Sequence, residues 1–326
     1  MKLDSFLAVK PVSVSAEPPT DKGGERANIS PAGGERETSG GDSAPVISYN
    51  VTPSGIKVAY QSEPKRTYWV NETEVPSVTT VLGILNKPQL VWWGMQRGVE
   101  GVIDLFAKGV LATAFDWDID QEVLCVDGQG SASVEQIVDA LKEHKLTVNH
   151  RLEKASERGV NVHDALEAWA ATGAMPRPAE FPETERPYVE GLLKFLADVD
   201  PTPIRQEVMV GSVEHGFAGR FDLVMEAQSK EYTSRCYPKR ANKREMLQQG
   251  MFLCDLKTSR GTYASHHLQL AAYELAAVEG GYPATDAQAV IHVTDTGKYE
   301  FVFSKATSDQ FLAIRRAYQA LEELDA

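Results

Sequence analysis

The sequence predicts an α/β fold, with a central mixed β-sheet flanked by helices and an additional N-terminal helical layer. Three observations lead there. Apolar spacing is helical through most of residues 76–198, then changes to short runs with strand character. Five such runs, "IRQEVMV", "GFAGRFDLVME", "MFLCDL", "AQAVIHV" and "YEFVFS", are broken by one helix at 262–280 and closed by another, "SDQFLAIRRAYQALEEL". That β-β-β-α-β-β-α order can bury one sheet between layers of helices. The 326 residues, 42% hydrophobic and 24% charged, also suffice for a core of this kind.

Residues 1–46 are rich in Gly, Pro, Ser, Glu and Lys and are predicted to be a disordered tail, because they cannot bury enough apolar area to offset ordering entropy. A single domain is expected over 47–326, with a helical N-terminal part at 47–148 and a core at 149–326. "IKVAYQ" and "RTYWV" flank the turn-like "SEPK" and predict a hairpin. "VPSVTTVLGIL" reads as a helix opened by Pro76, and "QLVWWGMQRGVEGVIDLFAKG" as a second helix ending at Gly109. Trp92 and Trp93 are expected to be core there. Residues 110–132 carry no decisive period. "SVEQIVDALKEH" predicts a short helix with Ser133 and Gln136 closing a capping box. A helix over 149–172, with Gly159 a candidate bend, and another over 183–198 complete the first half.

The formal charge of −13 argues against indiscriminate nucleic-acid binding but leaves room for a locally basic groove. No apolar run reaches membrane-span length, and "FLAV" near the N-terminus is too short for a secretory signal. Acids at positions 4, 17, 21, 25, 35 and 37 are unlike a mitochondrial transit peptide. Three cysteines without CxxC spacing, Cys125, Cys236 and Cys254, predict a reducing compartment and no disulfide framework.

The chemistry-bearing residues lie on the strands. Asp255 and Lys257 are two apart in "DLK", so they share a face while Leu256 points to the core. An isolated acid–lysine pair of this kind is usually a surface ion pair. If the strands carrying Asp222 and Asp255 pair, however, two carboxylates and the Leu256 main-chain carbonyl converge, a donor set for a hard cation such as Mg²⁺. The lysine beside such a cation can orient or deprotonate a water. His163 and Glu167 share a helix face at i, i+4, and an imidazole in the shell extends the range to Mn²⁺. Gln269 and Tyr273 form a second i, i+4 pair on the following helix.

"GVNVHDALE", "GRFDLV", "DLKTS" and "HLQLAAYELA" resemble, in order, the motifs of RecB-type nucleases of the PD-(D/E)XK superfamily, including phage, CRISPR-associated and mitochondrial genome maintenance exonucleases. The similarity covers most of residues 68–305, including "VPSVTTVLGILNKPQLVWWGMQRG". It implies a restriction-endonuclease-like core and a Mg²⁺- or Mn²⁺-dependent deoxyribonuclease, most simply an exonuclease. His163, Asp222 and Asp255 would be metal ligands, Lys257 the catalytic lysine, and Gln269 and Tyr273 a QxxxY motif positioning the strand. Glu207 in "RQEVMV" matches a further acidic position, and Glu167 is a candidate beside it. Some relatives carry a four-cysteine iron–sulfur cluster; with no cysteine after Cys254, none is expected here.

The resemblance also implies DNA as partner, single-stranded or with free ends, a recombination or replication protein as a further one, no membrane, and the cytoplasm of a bacterium or phage-infected host. The family usually joins the two acidic strands tightly, whereas residues 227–250 intervene here. That insertion carries Lys239, Arg240, Lys243 and Arg244 among interleaved tyrosines, candidates for DNA contact. Two other readings stand beside the nuclease: a DNA-end-binding or recombination adaptor with little turnover, and an interaction protein using its acidic surface and tail.

Overall fold

Two strands that lie parallel side by side need a long crossover between them, and here a helix supplies it. In the computed structural model, β12 (Gly250–Lys257) leads through α6 (Ala264–Glu279) to β13 (Ala287–Val293), its parallel neighbour. The described residues are 47–85, 88–110, 115–118, 123–126, 130–228, 230–234, 243–247 and 249–325, with side chains described over 47–85, 91–110, 133–228 and 249–324. The predicted tail, residues 1–46, lies outside them.

In chain order, the first elements are β1 (Ile47–Val51), β2 (Lys57–Gln61), β3 (Thr67–Val70), β4 (Thr73–Val75) and α1 (Val78–Val81). α2 (Pro88–Ala107), β5 (Phe115–Asp118), β6 (Val123–Val126), β7 (Gly130–Ser133) and α3 (Val134–Glu143) follow. Next are α4 (Val148–Thr172), α5 (Arg186–Val199), β8 (Thr202–Ser212), β9 (Phe217–Ala227), β10 (Lys230–Ser234) and β11 (Lys243–Leu247). After β12, α6 and β13 come β14 (Tyr299–Phe303) and α7 (Ser308–Asp325).

The central sheet has the order β14-β13-β12-β9-β8, antiparallel except for β12–β13, so the expected mixed sheet and flanking helices are present. One core joins α4 and α5 to the sheet through Val162, Leu166, Trp169, Phe195, Leu223, Cys254, Leu256 and Ile291. A second joins α1, α6 and α7 to it through Val81, Leu270, Tyr273, Phe311, Phe221, Leu253 and Val290. Burying both faces explains why these strands read as near-continuous apolar runs.

The N-terminal part departs from the helical expectation. Residues 47–75 form a four-stranded antiparallel meander, β1-β2-β3-β4, within which the predicted hairpin is one element. Its alternating Val58, Tyr68 and Val70 pack on Met209 and Ala218 of the central sheet. The approach is close: a side chain at Gly211 would meet Val70 Cγ2 at 2.5 Å. A three-stranded sheet, β5-β6-β7, occupies the stretch without decisive period. "VPSVTTVLGIL" forms only the short α1 and a 3-10 turn over Leu82–Ile84, because β-branched residues and Gly83 are poor helix formers. Pro76 lies before the Ser77 N-cap, and its carbonyl accepts from Ala218 N–H, tying this segment to β9. Trp92 is 62% exposed, not core as expected.

The capping box at Ser133 and Gln136 forms as predicted. α4 runs unbroken past Gly159, capped by Thr147 and ended by Gly173 in a left-handed conformation. The insertion is a β10–β11 hairpin within 227–250, not a simple loop. Lys239 and Arg240 lie outside the described residues, while Lys243 and Arg244 fall on β11.

Candidate metal centre at the parting of β9 and β12

The ladder between β9 and β12 ends at Cys254 and Leu223. The next residues, Asp255 and Asp222, do not pair through their backbones; Leu256 N–H instead donates to Asp222 Oδ2 at 2.7 Å. The strands therefore part at the two acids, leaving carboxylates where ladder hydrogen bonds would be. α4 brings His163 in from one side, its Nδ1 3.2 Å from Asp222 Oδ2. From β8, Glu207 reaches the same place, and ligand atoms of His163, Glu207 and Asp222 lie within 4.8 Å of one another.

Glu207 gets there by an unusual route. Its φ is +49°, in the left-handed region, although it sits inside a strand. Gln206 and Val208 pair with β9 on either side of it. A conformation of this kind in a non-glycine residue persists where surrounding structure holds it, and such residues cluster at functional sites. Arg220 on β9 holds the carboxylate from outside, Nε to Oε2 at 2.8 Å.

Asp255 and Lys257 do share a face, with Nζ 2.5 Å from Oδ2, and Asp255 is 1% exposed. Asp255 Oδ2 is buried, with the Lys257 ammonium as its close partner. Burial pushes the Asp255 carboxyl up to about 6; Lys257 opposes that rise and the Asp222 charge adds to it. Glu207 is pushed up to about 7 by burial and by Asp222, with Arg220 pulling the other way. Glu167, one turn beyond His163, adds to the same repulsion. Burial disfavours charge at Asp222 too, yet His163, Lys257 and the Leu256 N–H outweigh it and hold Asp222 below the usual carboxylate range. Burial would lower His163 and Lys257, but the neighbouring carboxylates raise both.

The cluster thus gathers the acids Glu167, Glu207, Asp222 and Asp255 around His163, Lys257 and Arg220. One imidazole and the carboxylates of Glu207 and Asp222, with the Asp255 carboxylate beside them, fit a divalent cation. Relative to the sequence expectation, Glu207 stands closer to His163 and Asp222 than an additional acid need, while Asp255 is turned toward Lys257. Leu256, expected as a ligand through its carbonyl, donates its N–H to Asp222 Oδ2.

Gln269 and Tyr273 meet each other rather than an open groove. Gln269 Nε2 donates to Tyr273 Oη at 2.7 Å, and the two residues are 9% and 3% exposed. Gly219 makes room for the ring, since a Cβ there would lie 2.5 Å from Tyr273 Cε1. The pair packs under the Asp255 side of the sheet, and burial with the Asp255 charge pushes the Tyr273 phenol well up.

The described strands of the insertion leave the sheet away from the acids. β10 and β11 leave the central ladder at Ala227 and Gly250, whereas Asp222 and Asp255 follow its opposite end. Five residues of strand separate Ala227 from Asp222, roughly 17 Å at 3.3 Å per residue. Sequence reasoning missed Arg220 and two residues of the N-terminal sheet beside it, Tyr60 and Arg66; only the "GRFD" spacing could have pointed to Arg220. Among the described residues, no helix is long and apolar enough to cross a membrane. No family model and no curated protein matches the chain.

Proposed function

We propose that the protein is a divalent-metal-dependent nuclease that hydrolyses phosphodiester bonds in DNA, built on a restriction-endonuclease-like core. The observation that carries this reading is the parting of β9 and β12 at Asp222 and Asp255, with His163, Glu207 and Lys257 converging there. A site for end binding alone has no use for three acids facing an anionic backbone, since each repels it. Held together with a cation, the same acids become a phosphate site.

His163, Glu207 and Asp222 would hold Mg²⁺ or Mn²⁺, with Asp255 beside them. When bound, such an ion lowers the pKa of a water and neutralises charge on the phosphoryl oxygens. Lys257 keeps its proton at Nζ, because Asp255 and Asp222 stabilise the ammonium against burial. It therefore acts as a donor that orients the attacking water and the phosphoryl oxygens, not as the base. Water attacks phosphorus in line and gives up a proton to solvent, a P–O bond forms, and the bond to the leaving oxygen breaks as that oxygen takes a proton from solvent. Gln269 and Tyr273 support Asp255 from beneath instead of gripping the strand with exposed tips.

The test is digestion of end-labelled DNA, linear and circular, single- and double-stranded, in Mg²⁺ or Mn²⁺. Release of labelled mononucleotides from linear DNA alone is the expected exonuclease result. Loss of all cleavage in metal-saturated protein would leave a DNA-end-binding adaptor as the better reading.

A further inference from the structure

Beside the metal centre lies a cluster that the proposed chemistry does not use. Tyr60 on β2 and Tyr68 on β3 face each other with ring centroids 4.7 Å apart. The guanidinium carbons of Arg66 and Arg220 sit 5.9 Å and 6.0 Å from the Tyr60 centroid. Tyr68 is buried, Tyr60 half-buried, and both arginines are exposed. Two like charges have thus been brought to one aromatic ring at the surface of a protein whose net charge is −13. Cation–π attraction of about 0.5–1 kcal/mol at an exposed site offsets part of their repulsion. It also brings together two planar forks of a kind suited to phosphate oxygens.

The cluster is placed by the same strand that carries the metal centre. Arg220 precedes Asp222 by two residues on β9, a spacing of roughly 7 Å on one strand face. That is close to the separation of neighbouring phosphates along a nucleic-acid strand. Arg220 meets Glu207 through Nε at 2.8 Å, and its side chain stays about half exposed, within reach of a further acceptor. Arg66 comes from the β2–β3 connection, one residue before β3, which gives that sheet a reason to pack so closely on β8 and β9.

We propose that Arg66 and Arg220, gathered on Tyr60, form a second phosphate site that takes the nucleic-acid phosphate next to the one at the metal centre. The inference rests on the nuclease reading and deepens it by naming where the strand is held. The phosphate has two sources: an internal phosphodiester, or a terminal phosphate at the strand end.

The test uses the full chain and a 3′-labelled single-stranded oligonucleotide carrying either a 5′-phosphate or a 5′-hydroxyl. Binding is measured by anisotropy in a Lys257→Ala background with Mg²⁺, so that the strand stays intact, and kcat and KM are measured with Lys257 present. Arg66→Ala and Arg220→Ala should each weaken binding about tenfold or more. Each should also flatten the slope of log affinity against log salt by about 0.7, the value for one single-strand phosphate contact. KM should rise by more than kcat falls. Arg66→Lys should recover the slope but not the full affinity, because the charge remains and the fork is lost. Loss with both oligonucleotides assigns an internal phosphodiester; loss confined to the 5′-phosphorylated one assigns a terminal phosphate. Unchanged affinity and slope in the folded double variant would overturn the proposal while leaving the metal centre standing. Absence of cleavage in Mg²⁺ or Mn²⁺, with binding still lost in the variants, would sink the nuclease reading and keep the phosphate site.

Discussion

Two histidine–carboxylate pairs sit in the central sheet region with the same contact length and opposite surroundings. His163 Nδ1 lies 3.2 Å from Asp222 Oδ2, and His292 Nδ1 lies 3.2 Å from Glu300 Oε2. His292 is fully buried on β13, and its other nitrogen is 2.7 Å from the Ser259 carbonyl, which ties down the loop after Lys257. Both of its nitrogens are thus engaged, one by an acid and one by main chain. His163 instead shares its pocket with Glu207 and Asp255, and both of those carboxyls are held above their ordinary range. A buried pair whose imidazole nitrogens are both engaged stabilises a fold; one set among further converging carboxylates marks a place for a cation. The comparison makes separate predictions for the two pairs.

The largest effect is expected at the acid–lysine end. Lys257→Ala should reduce cleavage about 10³-fold, the scale for removing one aligned donor from a developing charge. Asp255→Ala should do at least as much. Thermal melts should remain cooperative in both, so that inactivity is not unfolding. Turnover within tenfold of wild type in metal-saturated Lys257→Ala would remove the lysine from the chemistry.

His292→Ala should cost about 2 kcal/mol of stability, the scale for losing buried hydrogen bonds, here those to Glu300 and the Ser259 carbonyl. Denaturant titration reads this directly, and Mn²⁺ affinity measured by calorimetry should be unchanged in the folded variant. His163→Ala should reverse the pattern. Its metal affinity should fall by about 10- to 100-fold while the melting midpoint of the metal-free protein moves little. Adding Mn²⁺ should raise the melting temperature of wild type and of His292→Ala, and raise that of His163→Ala only at higher concentration. If the two histidine variants shift metal affinity equally, the distinction between the pairs fails.

Much of this was legible in sequence, for physical reasons that differ by element. The central strands announced themselves because burial on both faces demands continuous apolar runs, and α6 because its apolar spacing is helical. Asp222, Asp255 and Lys257 were legible because polar residues inside such runs are costly unless they have work, and His163 because it shares a helix face with Glu167 at i, i+4. The N-terminal meander was not, since its short strands alternate weakly and depend on Gly211 and Met209 some 140 residues away for their packing. Glu207 could be named as an acid, but its left-handed backbone and its tie to Arg220 arise only from tertiary packing. Gln269 and Tyr273 had the right spacing to meet, yet spacing alone could not say whether they meet each other or a ligand.

The smallest effect is expected where the sequence placed most positive charge. Lys239, Arg240, Lys243 and Arg244 look like a phosphate grip by composition, but the hairpin that carries two of them leaves the sheet at the ladder end away from Asp222 and Asp255. β10 instead lies near α5 and β14, at the opposite side of the sheet from β8 and Glu207. A strand of a few nucleotides held at the metal centre does not span that distance. Replacing all four with Ala should therefore change the salt slope for a short oligonucleotide by less than the roughly 0.7 of one phosphate contact. The same measurement on Arg66→Ala should show the full step. A slope that falls by several contacts in the quadruple variant would reverse the assignment, placing the grip on the inserted hairpin and leaving the Tyr60 arginines as surface charge.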